Sequence, residues 1–144
     1  MGRREATTMH DTTTALLLNA VAAAYAVMKC VLASLFWFRG GALWADLFRP
    51  LADSDFGSLL GAKWIGTRNL ALGVTLLVVT ALGERDLVGV LLAMGVLVEL
   101  LDGLWLAYGK LRFASSGRRA RFYMIGAFAW VPVLTLAAVG FLRR

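Results

Sequence analysis

Four stretches of roughly twenty apolar residues dominate this chain, the length a helix needs to cross a bilayer. Three of them carry charges that lipid should exclude. Lys29 lies in the first, Arg68 in the second, and Glu99 and Asp102 in the third, each among Leu, Val, Ala, Gly and Phe. A charged side chain at the bilayer centre costs about 2.5–3.5 kcal/mol on insertion scales. Charges kept in such places are the first candidates for function.

Composition supports the same class. Of the 144 residues, 60% are hydrophobic and 17% charged, whereas a soluble domain carries about 25% charged residues. The length allows a single transmembrane domain over residues 1–144. The net charge of +6 suits the positive-inside rule and anionic lipid head groups. Nucleic acid is not expected as a partner, because no basic patch with interleaved aromatics sits on a soluble module. Cys30 is the one cysteine and His10 the one histidine. A metal site, and any cofactor held by Cys or His, is therefore not expected. With its only His in the polar N-terminal tail, the chain also lacks the parts of a nucleophilic triad. Gly57–Gly61 lacks the Lys-Ser/Thr that would complete a phosphate-binding loop.

The expected fold is all-α: a polytopic membrane four-helix bundle. The spans are placed at residues 13–38, 63–82, 86–109 and 122–142. In lipid every backbone group must be satisfied within its own segment, which leaves helices as the solution for such runs. Thr12, Thr13 and Thr14 offer N-cap hydroxyls to the first helix, and Gly40-Gly41 ends it. Gly83 stops the second, and Asp86 is a plausible cap for the third. Pro132 is expected to kink the fourth. The short polar turn at 83–86 makes helices two and three an antiparallel hairpin, and 110–121 reads as a basic loop. Trp44, Leu47, Phe48 and Leu51 fall on one helical face. Residues 42–49 are thus read as a short amphipathic interfacial helix between helices 1 and 2, stopped by Pro50. Small residues (Gly66 and Gly73; Gly89, Ala93 and Gly95; Gly103 and Ala107) favour close helix packing.

Lys and Arg outside the spans divide unequally. Arg3, Arg4, Arg85, Arg143 and Arg144 fall on one side, and Arg39, Arg49, Lys63, Lys110, Arg112, Arg118, Arg119 and Arg121 on the other. The second group, with loops 39–62 and 110–121, is expected to be cytoplasmic, in a bacterial inner membrane.

At ~1.5 Å rise per residue, Arg68 and Asp102 lie roughly 8–10 Å from the same face of the bilayer, and Lys29 and Glu99 roughly 13–15 Å. The ions therefore form two depth-matched pairs of opposite sign, Arg68 with Asp102 and Lys29 with Glu99. Glu99 and Asp102 are three residues apart and share a face of helix three. Asn69 adds hydrogen-bonding capacity beside Arg68. Trp105 and Trp130 lie too deep for an interfacial belt and are candidate cavity walls, with Tyr123 and Tyr25. Trp37, Trp44 and Trp64 read as belt residues.

Such a pocket suits two kinds of chemistry. A desolvated carboxyl favours its neutral, proton-donating form, and aromatic faces attract a carbocation. These parts fit acid/base isomerisation or cyclisation of a lipophilic substrate (terpenoid, sterol or quinone-like) entering from the bilayer, without a cofactor. Glu99 or Asp102 would donate the proton, and Arg68, Asn69, Lys29, Trp105, Trp130, Tyr123 and Tyr25 would hold the substrate. Glu99 is the better acid if Lys29 points elsewhere; a Lys29–Glu99 pair holds Glu99 ionised. The alternative is a non-enzymatic binding or transport element, which at this size implies a homo-oligomer or a partner, or an accessory subunit whose charges are packing salt bridges.

The segment Gly66-Thr67-Arg68-Asn69-Leu70-Ala71-Leu72-Gly73, followed by a polar turn and a helix bearing Glu99 and Asp102, resembles small four-helix bacterial membrane proteins of the DoxX-like type. These share an Arg followed by a Gly in the second helix and an acidic residue in the third. The resemblance implies fold more than activity. In chemical style alone, acids among intramembrane aromatics are similar to membrane-embedded terpenoid cyclases.

Overall fold

The computed structural model describes residues 2–48, 55–113 and 118–143, with side chains described for 12–39, 61–108 and 121–143. Four helices make up the described chain: α1 Gly2–Phe48, α2 Asp55–Ala81, α3 Arg85–Phe113 and α4 Arg118–Leu142. Each holds a segment long and apolar enough to cross a membrane: Thr12–Arg39, Gly61–Ala81, Arg85–Tyr108 and Arg121–Leu142. The chain is a four-helix bundle with the makings of a membrane domain, as the length of its apolar runs leads one to expect.

Helix ends differ from the expected ones for one reason. Apolarity marks where the bilayer ends, not where the helix ends. α1 already begins at Gly2, so Thr12, Thr13 and Thr14 are interior residues and not N-caps. α2 starts at Asp55, two turns before the expected Lys63. The expected loop 110–121 is largely taken up by the ends of α3 and α4.

The break after helix one falls where it was expected. Arg39 leaves the helical region (φ −124°, ψ 15°), one residue before Gly40-Gly41. That break orphans carbonyls at the end of the preceding segment, and Lys63 reaches across from α2 to donate to the Trp37 carbonyl at 2.6 Å. The same ammonium lies 4.2 Å from the centre of the Trp37 ring, a geometry that adds cation–π attraction. Backbone helix resumes through Phe48, covering most of the short helix expected at 42–49. Its side chains, with Arg49, Pro50 and Leu51, lie outside the described residues.

The α2–α3 turn is a Schellman motif. Gly83 takes φ 74°, its amide donates to the Thr80 carbonyl at 3.1 Å, and the Glu84 amide donates to the Val79 carbonyl at 3.2 Å. Glu84, not Asp86, holds the cap position of α3: its carbonyl accepts the first helical bond, from Val88 at 3.0 Å. Asp86 sits one step inside, in the first turn, where its charge favours the helix dipole. Pro132 lies within α4, which continues through it to Leu142.

Packing does not follow the hairpin. α1 packs most closely on α2, and α3 on α4, while α2 and α3 touch much less despite their short turn. Glycines explain the close pairs. A Cβ on Gly73 would lie 2.8 Å from the Ala26 carbonyl oxygen and the Cys30 Sγ, and one on Gly66 2.8 Å from the Trp37 ring, all between α1 and α2. Between α3 and α4, Gly103 lies against Phe128 and Gly89 against Leu142 and Phe141. In lipid, where burial of apolar surface gives little drive, the close packing that such small residues permit is what holds helices together.

The core is divided along the bundle. Towards the Gly83 end, Ala22, Ala26, Leu76, Leu92, Leu134 and their neighbours form one continuous buried cluster. Towards the other end the buried cluster is small among the described residues: Phe36 and Ala62, with Ile65, Leu106 and Tyr123 packed against them. One half of the bundle is solid and the other loosely filled.

Gly73→Leu is expected to lower the thermal unfolding midpoint in detergent, at a cost of about 1–3 kcal/mol, because the Ala26 carbonyl cannot move aside. Gly126→Ala, with nothing within 4 Å of the added Cβ, should leave the midpoint close to wild type.

Candidate functional site

The intramembrane charges meet as their depths require. Lys29 Nζ on α1 lies 2.5 Å from Glu99 Oε1 on α3, and their side chains are 2% and 6% exposed. Arg68 on α2 grips Asp102 on α3 with a fork: NH1 donates to Oδ1 at 3.0 Å and NH2 to Oδ2 at 2.5 Å. This second pair is about a third exposed at each side chain. Two-point contact of this kind fixes both planes and is the strong form of a charge-assisted bond.

Tyr25 completes the deeper pair. It is fully buried, and its hydroxyl donates to Glu99 Oε1 at 2.9 Å. Its ring packs at 5.3 Å and 53° against Trp130 of α4, and lies 5.3 Å from Lys29 Nζ. Gly95 makes room for it, since a Cβ there would lie 2.9 Å from the Tyr25 ring. Glu99 thus takes a charge and a hydroxyl from α1 on a single oxygen. The condition under which Glu99 would be a free acid, Lys29 pointing elsewhere, is not met. Asp102 has both oxygens engaged by Arg68.

Around these ions lies a cavity of about 430 Å³ in the loosely filled half of the bundle. Lys29, Arg68, Asn69, Glu99 and Asp102 form its polar wall; Leu32, Phe36, Ile65 and Leu106 belong to the apolar one. Trp105 and Tyr123 line it as the sequence suggested. Trp130 does not; it lines a second cavity of about 230 Å³ in the crevice between α1 and α4, with Met28, Phe122 and Gly126. Glu99, Leu32, Tyr123 and Ala127 border both spaces, so the two share a wall. Tyr25 borders neither and acts through Glu99 and Trp130.

Sequence reasoning missed several wall residues. Trp64, read as a belt residue, is 75% exposed and also lines the larger cavity, and Trp105 opposite is 57% exposed. A Trp near the end of an apolar span is able to do both when the cavity lies at that end. Phe36, Ile65 and Leu106 carried no signal, because an apolar residue facing a cavity and one facing lipid look alike in sequence. Gly126 could have been found only from the absence of neighbours around it.

Two unmet polar atoms stand out in this wall. Asn69 is 3% exposed, and its Oδ1 has no hydrogen-bond partner among the described residues; neither has Arg68 Nε. Buried polar atoms are nearly always bonded, so each such exception calls for an explanation.

Residues 30–143 match the family described as Domain of unknown function (DUF4267). The chain belongs to this family. The match takes in Arg68, Asn69, Glu99 and Asp102 and begins one residue after Lys29. No curated protein and no solved structure matches the chain. The DUF4267 family carries no assigned activity, so chemistry has to be argued from the site.

Lys29→Met is expected to cost about 3–5 kcal/mol by leaving Glu99 buried and unpaired, and Arg68→Met less, because Asp102 can still reach water. The double variant Lys29→Met/Glu99→Leu should recover part of the loss. Unfolding of the single and double variants in detergent gives the coupling directly; additive losses would mean that the pair is not coupled.

Proposed function

We propose that this DUF4267 chain binds a lipophilic small molecule inside the bilayer. The observation that carries this is the cavity itself: about 430 Å³, within the usual range for ligand pockets, walled by aromatic and aliphatic side chains on one side and by fully paired ions on the other. Terpenoid-, sterol- or quinone-like molecules have the matching character. The α1–α4 crevice, with bare Gly126 on its wall, offers an apolar tail a way in from the lipid. The protein is a binding or transport element in this account, with a homo-oligomer or a partner supplying what a four-helix unit lacks for transport.

A second function, acid/base isomerisation or cyclisation of the same ligand, is favoured by one observation. Glu99 borders both cavities, so a ligand spanning them touches a carboxylate that is already bonded to the proton-bearing groups of Tyr25 and Lys29. Release of Glu99 from Lys29 by the incoming substrate would free it to exchange a proton. The kinship to DoxX-like proteins, the bacterial inner membrane, and the cytoplasmic placing of residues 39–62 and 110–121 belong to this proposal as well.

Native mass spectrometry of the detergent-purified protein, with extraction of bound lipid, tests binding. A specific isoprenoid, sterol or quinone is expected, with its occupancy reduced at least about tenfold in Gly126→Phe while the unfolding midpoint holds. Bulk phospholipid alone, equal in both proteins, would turn the ions into packing bridges and nothing more. Conversion of the recovered ligand by wild type, lost in Glu99→Gln and Asp102→Asn while binding persists, would mark an enzyme; unchanged ligand would leave a binding protein.

A further inference from the structure

We propose that the site selects an uncharged lipophile, and that Arg68 and Asp102 set this selectivity by cancelling one another on the cavity wall; this rests on the proposed binding function and adds the charge class of its ligand. Two features of the wall carry the inference.

The first is the balance of charge. Among the described residues the wall holds two cations, Lys29 and Arg68, and two anions, Glu99 and Asp102. Each is tied to its opposite: Lys29 to Glu99, and Arg68 to Asp102 through both terminal nitrogens. An anionic head group brought to Arg68 also meets the carboxylate that Arg68 already holds. A cationic one brought to Asp102 meets the guanidinium. Either must part the pair or bear the repulsion, and like charges in contact cost more in such a site than in water. A neutral molecule does neither.

The second is which pair a ligand can reach. The Lys29 and Glu99 side chains are almost wholly buried, whereas those of Arg68 and Asp102 are each about a third exposed and line the cavity. Tyr25 closes in the deeper pair further, with its hydroxyl on Glu99. The Arg68–Asp102 pair is thus the charge that an incoming head group meets. The chain as a whole carries a net charge of +6, a field that draws anions from a distance. A preference for a neutral ligand therefore has to be made at the wall itself. Asp102 is the deciding residue against anions, because it alone cancels Arg68, and Arg68 is its counterpart against cations.

Three charges on one skeleton decide the matter: farnesol, farnesyl phosphate and farnesyltrimethylammonium, with cholesterol, cholesterol sulfate and cholesterylamine as a second set. Each is titrated into protein in phosphatidylcholine nanodiscs with tryptophan fluorescence as the readout, since Trp64 and Trp105 line the cavity. Affinities refer to probe dissolved in the bilayer, measured with empty nanodiscs. In the skeleton that wild type binds more tightly, the neutral probe is expected to bind about tenfold or more tighter than either charged one. Asp102→Asn should raise affinity for the anion, relative to the neutral probe, about tenfold, and Arg68→Gln should do the same for the cation. Glu84→Gln removes the same charge as Asp102→Asn from an exposed position at the Gly83 end and should leave the ratios unchanged. Should one cavity variant fail to fold, the other and the wild-type ratio still decide. Wild-type binding of a charged probe as tight as the neutral one would overturn the selectivity while leaving a lipophilic site. So would ratios unmoved in the folded cavity variants, or moved as far by Glu84→Gln. Binding of none of the six probes would remove the lipophilic site as well.

Discussion

The bond between Lys29 and Glu99 is the interaction on which the bundle turns. α1 and α2 form one close pair and α3 and α4 another, each seated on glycines: those of α2 meet the α1 backbone, and those of α3 make room for Phe128, Phe141 and Leu142 of α4. The two pairs touch less, and polar side chains join them. Lys29 and Tyr25 of α1 reach Glu99 of α3, and Arg68 of α2 reaches Asp102 of α3. The Lys29–Glu99 pair is shut off from any competing water, and in a bilayer there is no hydrophobic effect to substitute for either pair. They determine where the second pair sits against the first.

The same bonds stand where the solid half of the bundle gives way to the loose one. Towards Gly83 the helices close over Ala22, Ala26, Leu76 and Leu92. Towards Phe36 and Ala62 they stand apart far enough to leave a cavity. Ions need room for their heads and their hydrogen-bond partners, and small residues next to them would collapse that room. Paired ions therefore act as spacers: they hold helices at a distance that a glycine seam would not, and the space beside them is the price of their size.

Much of this was legible in the chain before any coordinates. The four spans follow from apolar length, and the ion pairs from counting residues inward from each helix end, since depth in a membrane is a single coordinate and a rise of ~1.5 Å per residue measures it. Rotation about each helix axis is not measured that way. Hence Arg68, Glu99 and Asp102 were found, but the faces carrying Phe36, Ile65 and Leu106 were not. Loop length misled in a related manner. The tight turn at Gly83 makes α2 and α3 neighbours in sequence, yet glycine placement gives their closest contacts to other partners. Tyr25 is legible in the sequence as a deep polar residue, but its bond to Glu99 depends on how the helices dock.

Pairing also changes what the carboxylates can be asked to do. A lone acid among aromatics is a proton donor in waiting; a carboxylate held by an ammonium and a phenol, or by both arms of a guanidinium, is a base whose charge is already spoken for. With both carboxylates paired, the charges that line the cavity cancel among the described residues. Arg68 commits both terminal nitrogens to Asp102, while its buried Nε has no hydrogen-bond partner among the described residues. The guanidinium is thus a tie between α2 and α3 before it is anything else, and a change at Arg68 loosens the bundle whatever the cavity holds.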